Sequence, residues 1–232
     1  MSSKIDFLKE KNPTAKIVSS GELAAIGTAL IPVEWVSIFS EEDTQKRKTR
    51  MIEHWKKKAG DHLVNTITYF HSFLDNVELI EYSGRYSILY SIASLNGTVL
   101  LYEGGNPLDT KIRSSAVDQS WKDFPKSIRN FYEHLHNGFS YYASESMGLV
   151  PVKSIVHLKD VPWEILNELE EPLRIDLTSS FSFFSNGNGG YVVIDTKNCK
   201  NENSTVWWKD DQPDYEMKFW SVVDEWITIG FE

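Results

Sequence analysis

The feature that most narrows what this chain can become is a hairpin signal near its carboxy-terminal end. Phe181, Phe183 and Phe184 favour an extended strand, and the run stops at Asn186-Gly187. That dipeptide, followed by Gly189-Gly190, supplies the positive φ that a tight turn between antiparallel strands demands. Tyr191 to Ile194 resumes with aromatic and β-branched residues, and Asp195 ends the run. Thr205 to Trp208 reads as a third strand, broken by Asp210, Asp211, Pro213 and Asp214. Phe219, Val222, Val223, Trp226 and Ile227 then recur at i, i+3, i+4, i+7 and i+8, one apolar stripe on a closing helix that Gly230 stops. A meander capped by an amphipathic helix is the core of a small domain, and no catalytic motif lies in it.

Upstream, Met1 to Lys16 is polar and reads as frayed. A short helix starts at Ser20, with Leu23, Ile26 and Leu30 on one side, and Pro32 interrupts it. Pro32 to Phe39 is either a helix with Pro at its start or extended. Glu41 to Ala59 is helical, since Met51, Ile52, Trp55 and Ala59 share one face. Its other faces carry Lys46, Arg47, Lys48, Arg50, Lys56, Lys57 and Lys58, which read as a solvated face rather than a nucleic-acid or lipid site. Leu63 to Leu74 fits a helix better than a strand. Glu78 to Ser94 is strand-rich and broken at Ser83-Gly84, and Asn96-Gly97 turns it into Thr98 to Tyr102. Leu108 to Ser120 is polar and marks the boundary between residues 1–108 and 109–232. Phe124-Pro125 leads a helix with Ile128, Phe131, Tyr132 and Leu135 on one face, ended by Asn137-Gly138. Trp163 to Leu169 adds a helical turn or two, and Ile175 to Leu177 a short strand.

The chain has 232 residues, 41% of them hydrophobic and eight of them Trp, enough for a substantial core. No apolar run suffices for a spanning helix and the amino terminus has no signal-like apolar stretch, so a cytoplasmic location is expected. The single Cys199 excludes an internal disulfide and fits a reducing compartment. Charge is unevenly spread: from Asp160 onward fifteen Asp/Glu stand against five Lys/Arg, a net −10. Such a surface repels phosphate backbones and attracts basic proteins.

Catalytic and metal chemistry find little support. His134 and His136, two apart on a helix, point to different faces, and His54, His62 and His71 are scattered. No cofactor is expected. Cys199 sits among lysines in a polar loop and reads as an incidental exposed thiol. Gly187-Asn188-Gly189-Gly190 enters a strand, so it is a turn and not a phosphate cradle. Asp210-Asp211 and Asp224-Glu225 read as solvated pairs. What remains is a surface, with Trp208, Asp210, Asp211, Asp214 and Tyr215 placing aromatics beside carboxylates as in a protein-binding patch. In a strand Trp207 and Trp208 face opposite sides, so either one is core and one surface, or both pack inward. Tyr141 and Tyr142 beside Glu145 raise the same question.

Four pieces, in order, carry a resemblance: FPKSIRNFYEHLHNGF (124–139), SMGLVPVKSI (146–155), FFSNGNGGYVVIDT (183–196) and FWSVVDEWITIGFE (219–232). Together they resemble the SUKH superfamily, which includes yeast Smi and Knr type cell-wall regulators, the bacterial Syd protein and many toxin-immunity proteins. Pro125, Gly138, Gly187, Gly190, Asp195, Phe219, Asp224 and Trp226 occupy the motif positions. The resemblance implies an α+β fold, a twisted and mainly antiparallel sheet packed by helices, with residues 1–108 as an α/β extension or subdomain of a SUKH-like domain at 109–232. It implies no enzymatic role. The expected function is an immunity protein that binds and neutralises a cognate toxin domain, one that targets nucleic acid, by covering its active site. On this reading the chain is a monomer when free and binds neither nucleic acid nor membrane. The alternatives are a regulatory or scaffold module for an endogenous cell-wall or secretion factor, and an enzyme using Asp195 or the acidic loop as general acid/base.

Overall fold

Eleven strands, every bonded pair antiparallel, form one sheet through residues 4–232, the part of the chain that this computed structural model describes. They are β1 (Lys16–Ile17), β2 (Leu74–Tyr82), β3 (Arg85–Ala93), β4 (Val99–Gly105), β5 (Phe139–Tyr141), β6 (Gly148–Leu149), β7 (Val156–His157), β8 (Ser180–Ser185), β9 (Gly190–Asp195), β10 (Asn203–Trp208) and β11 (Asp214–Lys218). Spatial order follows chain order, except that β7 branches onto β8 beside β6. The helices are α1 (Lys4–Lys11), α2 (Ser20–Leu23), α3 (Val33–Phe39), α4 (Thr44–Ala59), α5 (Val64–Phe73), α6 (Ser115–Ser120), α7 (Lys126–His134) and α8 (Phe219–Ile229). This is the α+β architecture, a mainly antiparallel sheet packed by helices, that the resemblance implies. No helix among the described residues is long and apolar enough to cross a membrane.

The local signals explain most elements. Gly84, Gly97, Gly187 and Gly189 all adopt positive φ at the hairpin turns, where a Cβ would be strained. Asp43 accepts the Lys46 N–H at 2.9 Å to start α4, and Ser19 and Glu22 form a reciprocal capping box at α2. Pro32 precedes α3, which settles Pro32 to Phe39 as helix, and α5 settles Leu63 to Leu74 in the same way. The basic residues of α4 are partly spent inside the molecule: Arg47 donates to Val77 O and Lys48 to Leu74 O, holding the irregular start of β2.

Both sheet faces are covered. On the inner face α4, α5, α7 and α8 bury Trp55, Phe70, Phe131, Phe219 and Val223 in one cluster with residues of β2, β3, β4, β5, β8 and β9. On the outer face α1 packs Leu8 against Ile80, Leu89, Leu101 and Tyr142. Residues 158–177 cover Trp207 and Val193 farther along. The chain before Lys16 is therefore not frayed over residues 4–16, because Leu8 is fully buried and Lys11 donates to Tyr142 O. Residues 1–3 lie outside the described part.

Three further expectations change. Helix α7 stops at His134, so His136 is not on it; the imidazole lies buried between Trp35 and Trp55, with Tyr90 and Phe139 beside it. Ile175 to Leu177 forms no strand, because the Asp176 side chain accepts from the Thr178 N–H and hydroxyl, a local turn that competes with strand pairing. Cys199 is 9% exposed, and burial pushes its thiol pKa up, the reverse of activation by nearby lysines.

The approach of His136 to β4 depends on a glycine. A Cβ on Gly104 would stand 2.5 Å from the imidazole Cε1, and the flanking indoles leave the ring no room to withdraw. Gly104→Ala is expected to cost about 2 kcal/mol, read as a lower urea midpoint at unchanged slope. An unchanged midpoint would mean that the ring moves aside freely.

Candidate protein-binding face

The sheet ends at β11, and the acidic residues gather around that edge. Four of the five β11 residues are exposed or half-buried polar groups, and together with Met217 they show no alternation in burial. The sequence shows only an acidic break there, so this fourth strand of the closing meander had no periodic signal to reveal it. Its pairing with β10 contains a bulge: Ser204 faces Met217 and Val206 faces Asp214, so β11 has one extra residue. Glu216 takes φ 59° at this bulge, a left-handed conformation uncommon for a side-chain-bearing residue.

Asp210 and Asp211 occupy the β10–β11 turn and Asp214 opens β11, all three exposed. Pro213 between them is buried and anchors the turn, while the Lys209 N–H donates to Gly189 O at 2.9 Å. The turn is tied to residues 168–175. Glu171 N–H donates to Gln212 Oε1 at 3.2 Å, Gln212 Nε2 returns to Glu171 O at 3.4 Å, and Arg174 N–H donates to the Tyr215 hydroxyl at 3.3 Å. These bonds bring exposed Glu168, Glu170 and Glu171 alongside Asp210, Asp211, Asp214 and Glu216. Of these seven carboxylates, only Glu171 has an ion-pair partner among the described residues, the Arg174 guanidinium. Exposed Lys209 and Lys218 flank the face.

Trp208 and Tyr215 do not share one surface. Trp208 is half-buried on the helix side, its ring 5.7 Å from Trp226. Tyr215 is half-buried on the outer side, under the Arg174 guanidinium at 5.2 Å. Trp207 is fully buried and stacks on Trp163 at 4.1 Å. Of the other aromatic pair, Tyr142 is buried with its hydroxyl bonded to Asn12 and Leu8 O, while Tyr141 is half-buried. The glutamates of 168–171 and Glu216 were not singled out from the sequence, although the run Glu168-Leu169-Glu170-Glu171 was visible there.

Two of the carboxylates weighed for catalysis, Asp195 and Asp224, hold backbone in place. Asp195 is 5% exposed and accepts from the Ser179 hydroxyl at 2.6 Å, the Lys197 N–H at 3.0 Å and Asn198 Nδ2 at 2.9 Å, fixing the turn after β9. Asp224 is not solvated as expected; it is buried and accepts from the first turn of α5. Among the described residues no group of three or more His, Cys, Asp or Glu is arranged to hold a metal.

No curated protein and no solved structure matches the chain. Residues 115–229 match the SMI1 / KNR4 family (SUKH-1). That segment runs from α6 to the end of α8 and contains strands β5 to β11, including the whole acidic edge. By this match residues 115–229 form a domain of the SMI1 / KNR4 family (SUKH-1).

Proposed function

We propose that this protein is an immunity protein that binds a cognate bacterial toxin domain through its acidic edge and covers the toxin's active site. The SUKH family is a toxin-immunity type of module and generally non-enzymatic, which supports the class. The observation that carries the reading is the set of exposed, mostly unpaired carboxylates on a turn and loop locked to each other. A toxin domain that handles nucleic acid has a basic groove, and fixed carboxylates meet it in place of phosphates. Asp210, Asp211 and Asp214 lead this contact, with Trp208 and Tyr215 at its margins. Residues 1–108 act as an extension of the domain at 109–232, since β4 pairs directly with β5 and one core spans both. The protein acts as a monomer in the cytoplasm and touches neither nucleic acid nor membrane.

Capture from the source cells tests this. The tagged protein is expected to retain a basic toxin domain, and Asp210→Lys/Asp211→Lys/Asp214→Lys is expected to slow association at least about tenfold and abolish its salt dependence. Co-expression of that toxin with the wild-type chain should restore growth, and with the triple variant should not. Capture of an endogenous cell-wall or secretion factor instead would favour a regulatory module, and capture indifferent to the charge reversal would remove this face from the interface.

A further inference from the structure

Beside the acidic edge, on the outer side of the sheet, a cleft of about 320 Å³ opens where the cover of residues 158–177 ends. Arg174, Asp195, Asn203, Thr205, Tyr215 and Glu216 are among its lining residues. Strand register explains why these groups meet. Thr205 pairs with Val193 and Trp207 with Tyr191, so Thr205 shares the outer face with Trp207, and Asp195 follows Val193 on the same face. The β11 bulge then sets Tyr215 and Glu216 opposite Thr205.

The cleft is rich in acceptors and short of positive charge. Thr205 is 5% exposed and lines the cleft; its hydroxyl makes no hydrogen bond among the described residues and is not one of the fully enclosed unpartnered atoms. Asp195 Oδ2 accepts only from Asn198 Nδ2, which leaves it further accepting capacity. Glu216 makes no ion pair among the described residues, although after Glu171 it helps raise the pKa of nearby Arg174; the Arg174 guanidinium is paired with Glu171, and the Lys197 ammonium, also under the influence of Asp195, goes to Asp176 at 2.5 Å. A nearly buried side chain whose hydroxyl opens to a cleft with two carboxylates on its walls suits a ligand that is cationic and offers several donors.

We propose that this cleft receives an arginine side chain of the bound partner protein, whose guanidinium reaches Thr205, Asp195 and Glu216. The proposal rests on the toxin-binding reading and deepens it. A guanidinium presents five N–H donors in a flat fork and is weakly hydrated, so it suits dispersed acceptors; an ammonium is a strongly hydrated point charge. At the mouth the chain's own Arg174 lies over the Tyr215 ring at 5.2 Å, a contact that a guanidinium can make with this wall.

The test titrates the full chain with L-argininamide, and in parallel with L-lysinamide, following backbone amide resonances. Saturable shifts centred on Thr205, Asn203 and Glu216 are expected for L-argininamide with a dissociation constant on the order of millimolar, and weaker ones for L-lysinamide. Thr205→Val is expected to weaken argininamide binding about fivefold and Glu216→Gln about tenfold, both variants keeping the wild-type melting temperature. No saturable shift, equal response to the two amides, or indifference to both substitutions would each overturn the proposal. The two readings fail separately. If the aspartate reversal abolishes capture while argininamide leaves the cleft unmoved, the cleft inference falls and the acidic edge stands. If argininamide saturates the cleft, Thr205→Val weakens capture and the reversal does not, the cleft stands and the edge falls.

Discussion

Asp224→Ala is expected to lower stability by about 3–4 kcal/mol, while Glu225→Ala, one residue on, stays within about 0.5 kcal/mol of wild type. Helix α5 begins after Leu63, whose side chain offers no acceptor, so its first-turn N–H groups have no local partner. Asp224 supplies one from α8. Its Oδ2 accepts from Asn65 N–H at 2.8 Å, and its Oδ1 accepts from Thr66 N–H at 2.8 Å and the Thr66 hydroxyl at 2.7 Å. Thr66 is fully buried and Asp224 nearly so, which keeps water from replacing the carboxylate. The truncation removes a helix cap and leaves two buried donors unpaired, each penalised by roughly 1–3 kcal/mol. Asp224→Asn keeps one acceptor oxygen but turns an amide N–H₂ toward a donor, so an intermediate loss of about 2 kcal/mol is expected. Urea unfolding followed by tryptophan fluorescence should give the order wild type, Asp224→Asn, Asp224→Ala. A value for Asp224→Ala equal to that for Glu225→Ala would show that the cap carries no weight. Because α5 lies in 1–108 and α8 in 109–232, the same carboxylate also fastens the two parts of the chain.

That role was beyond what a linear reading supplies. Asp224 and Glu225 look alike as neighbours, and what separates them is a helix 158 residues away in sequence from the carboxylate that caps it. The hairpins, by contrast, were legible because their glycines sit where positive φ is needed, and α4 and α8 because apolar residues recur at helical spacing. The order of α7, β8, β9, β10 and α8 was legible for the same reasons, and with it the family, whereas β5 carried no strand signal. Strand β11 was not, since an edge strand exposed along most of its length shows no alternation. Helix α1 was missed because a single buried Leu8 holds it among polar residues. Of the candidate face, Asp210, Asp211 and Asp214 stand exposed as the turn chemistry suggests. Their company with Glu168, Glu170 and Glu171 depends on the Gln212 and Tyr215 hydrogen bonds across 41 residues, which no local pattern encodes.

A second expected result of comparable size is acid lability well above the range where carboxylates protonate. His136 is fully enclosed, its Nε2 2.6 Å from the Tyr90 hydroxyl and its Nδ1 3.3 Å from Gly105 O. Gly105 O can only accept, so Nδ1 carries the proton and Nε2 accepts from Tyr90, which itself accepts from Trp55 Nε1 at 2.9 Å. A protonated ring would aim a second N–H at the Tyr90 oxygen in a dry aromatic box. Burial accordingly pushes the His136 pKa down to about 3, and that of His54 to about 4, with Lys58 adding to the effect on His54. In the unfolded chain both titrate near 6.5. Below that pH the unfolded state binds two protons that the folded state refuses, so stability is fully present above about 6.5 and falls as pH drops toward 4. By pH 5 the loss is about 2 kcal/mol for each ring, or about 4 kcal/mol in all. Asp109, whose pKa burial raises, works in the opposite direction but nearer the carboxylate range. Urea midpoints from pH 7.5 to 5 should therefore fall steeply, and His54→Gln should roughly halve the slope. His136→Gln should lower stability at every pH and flatten the dependence, since it removes the titrating group along with the ring that fills the box. A midpoint that stays level from pH 7 to 5 in the wild-type chain would mean that both rings take up protons within the fold, at His136 with the hydrogen bond to Tyr90 reversed.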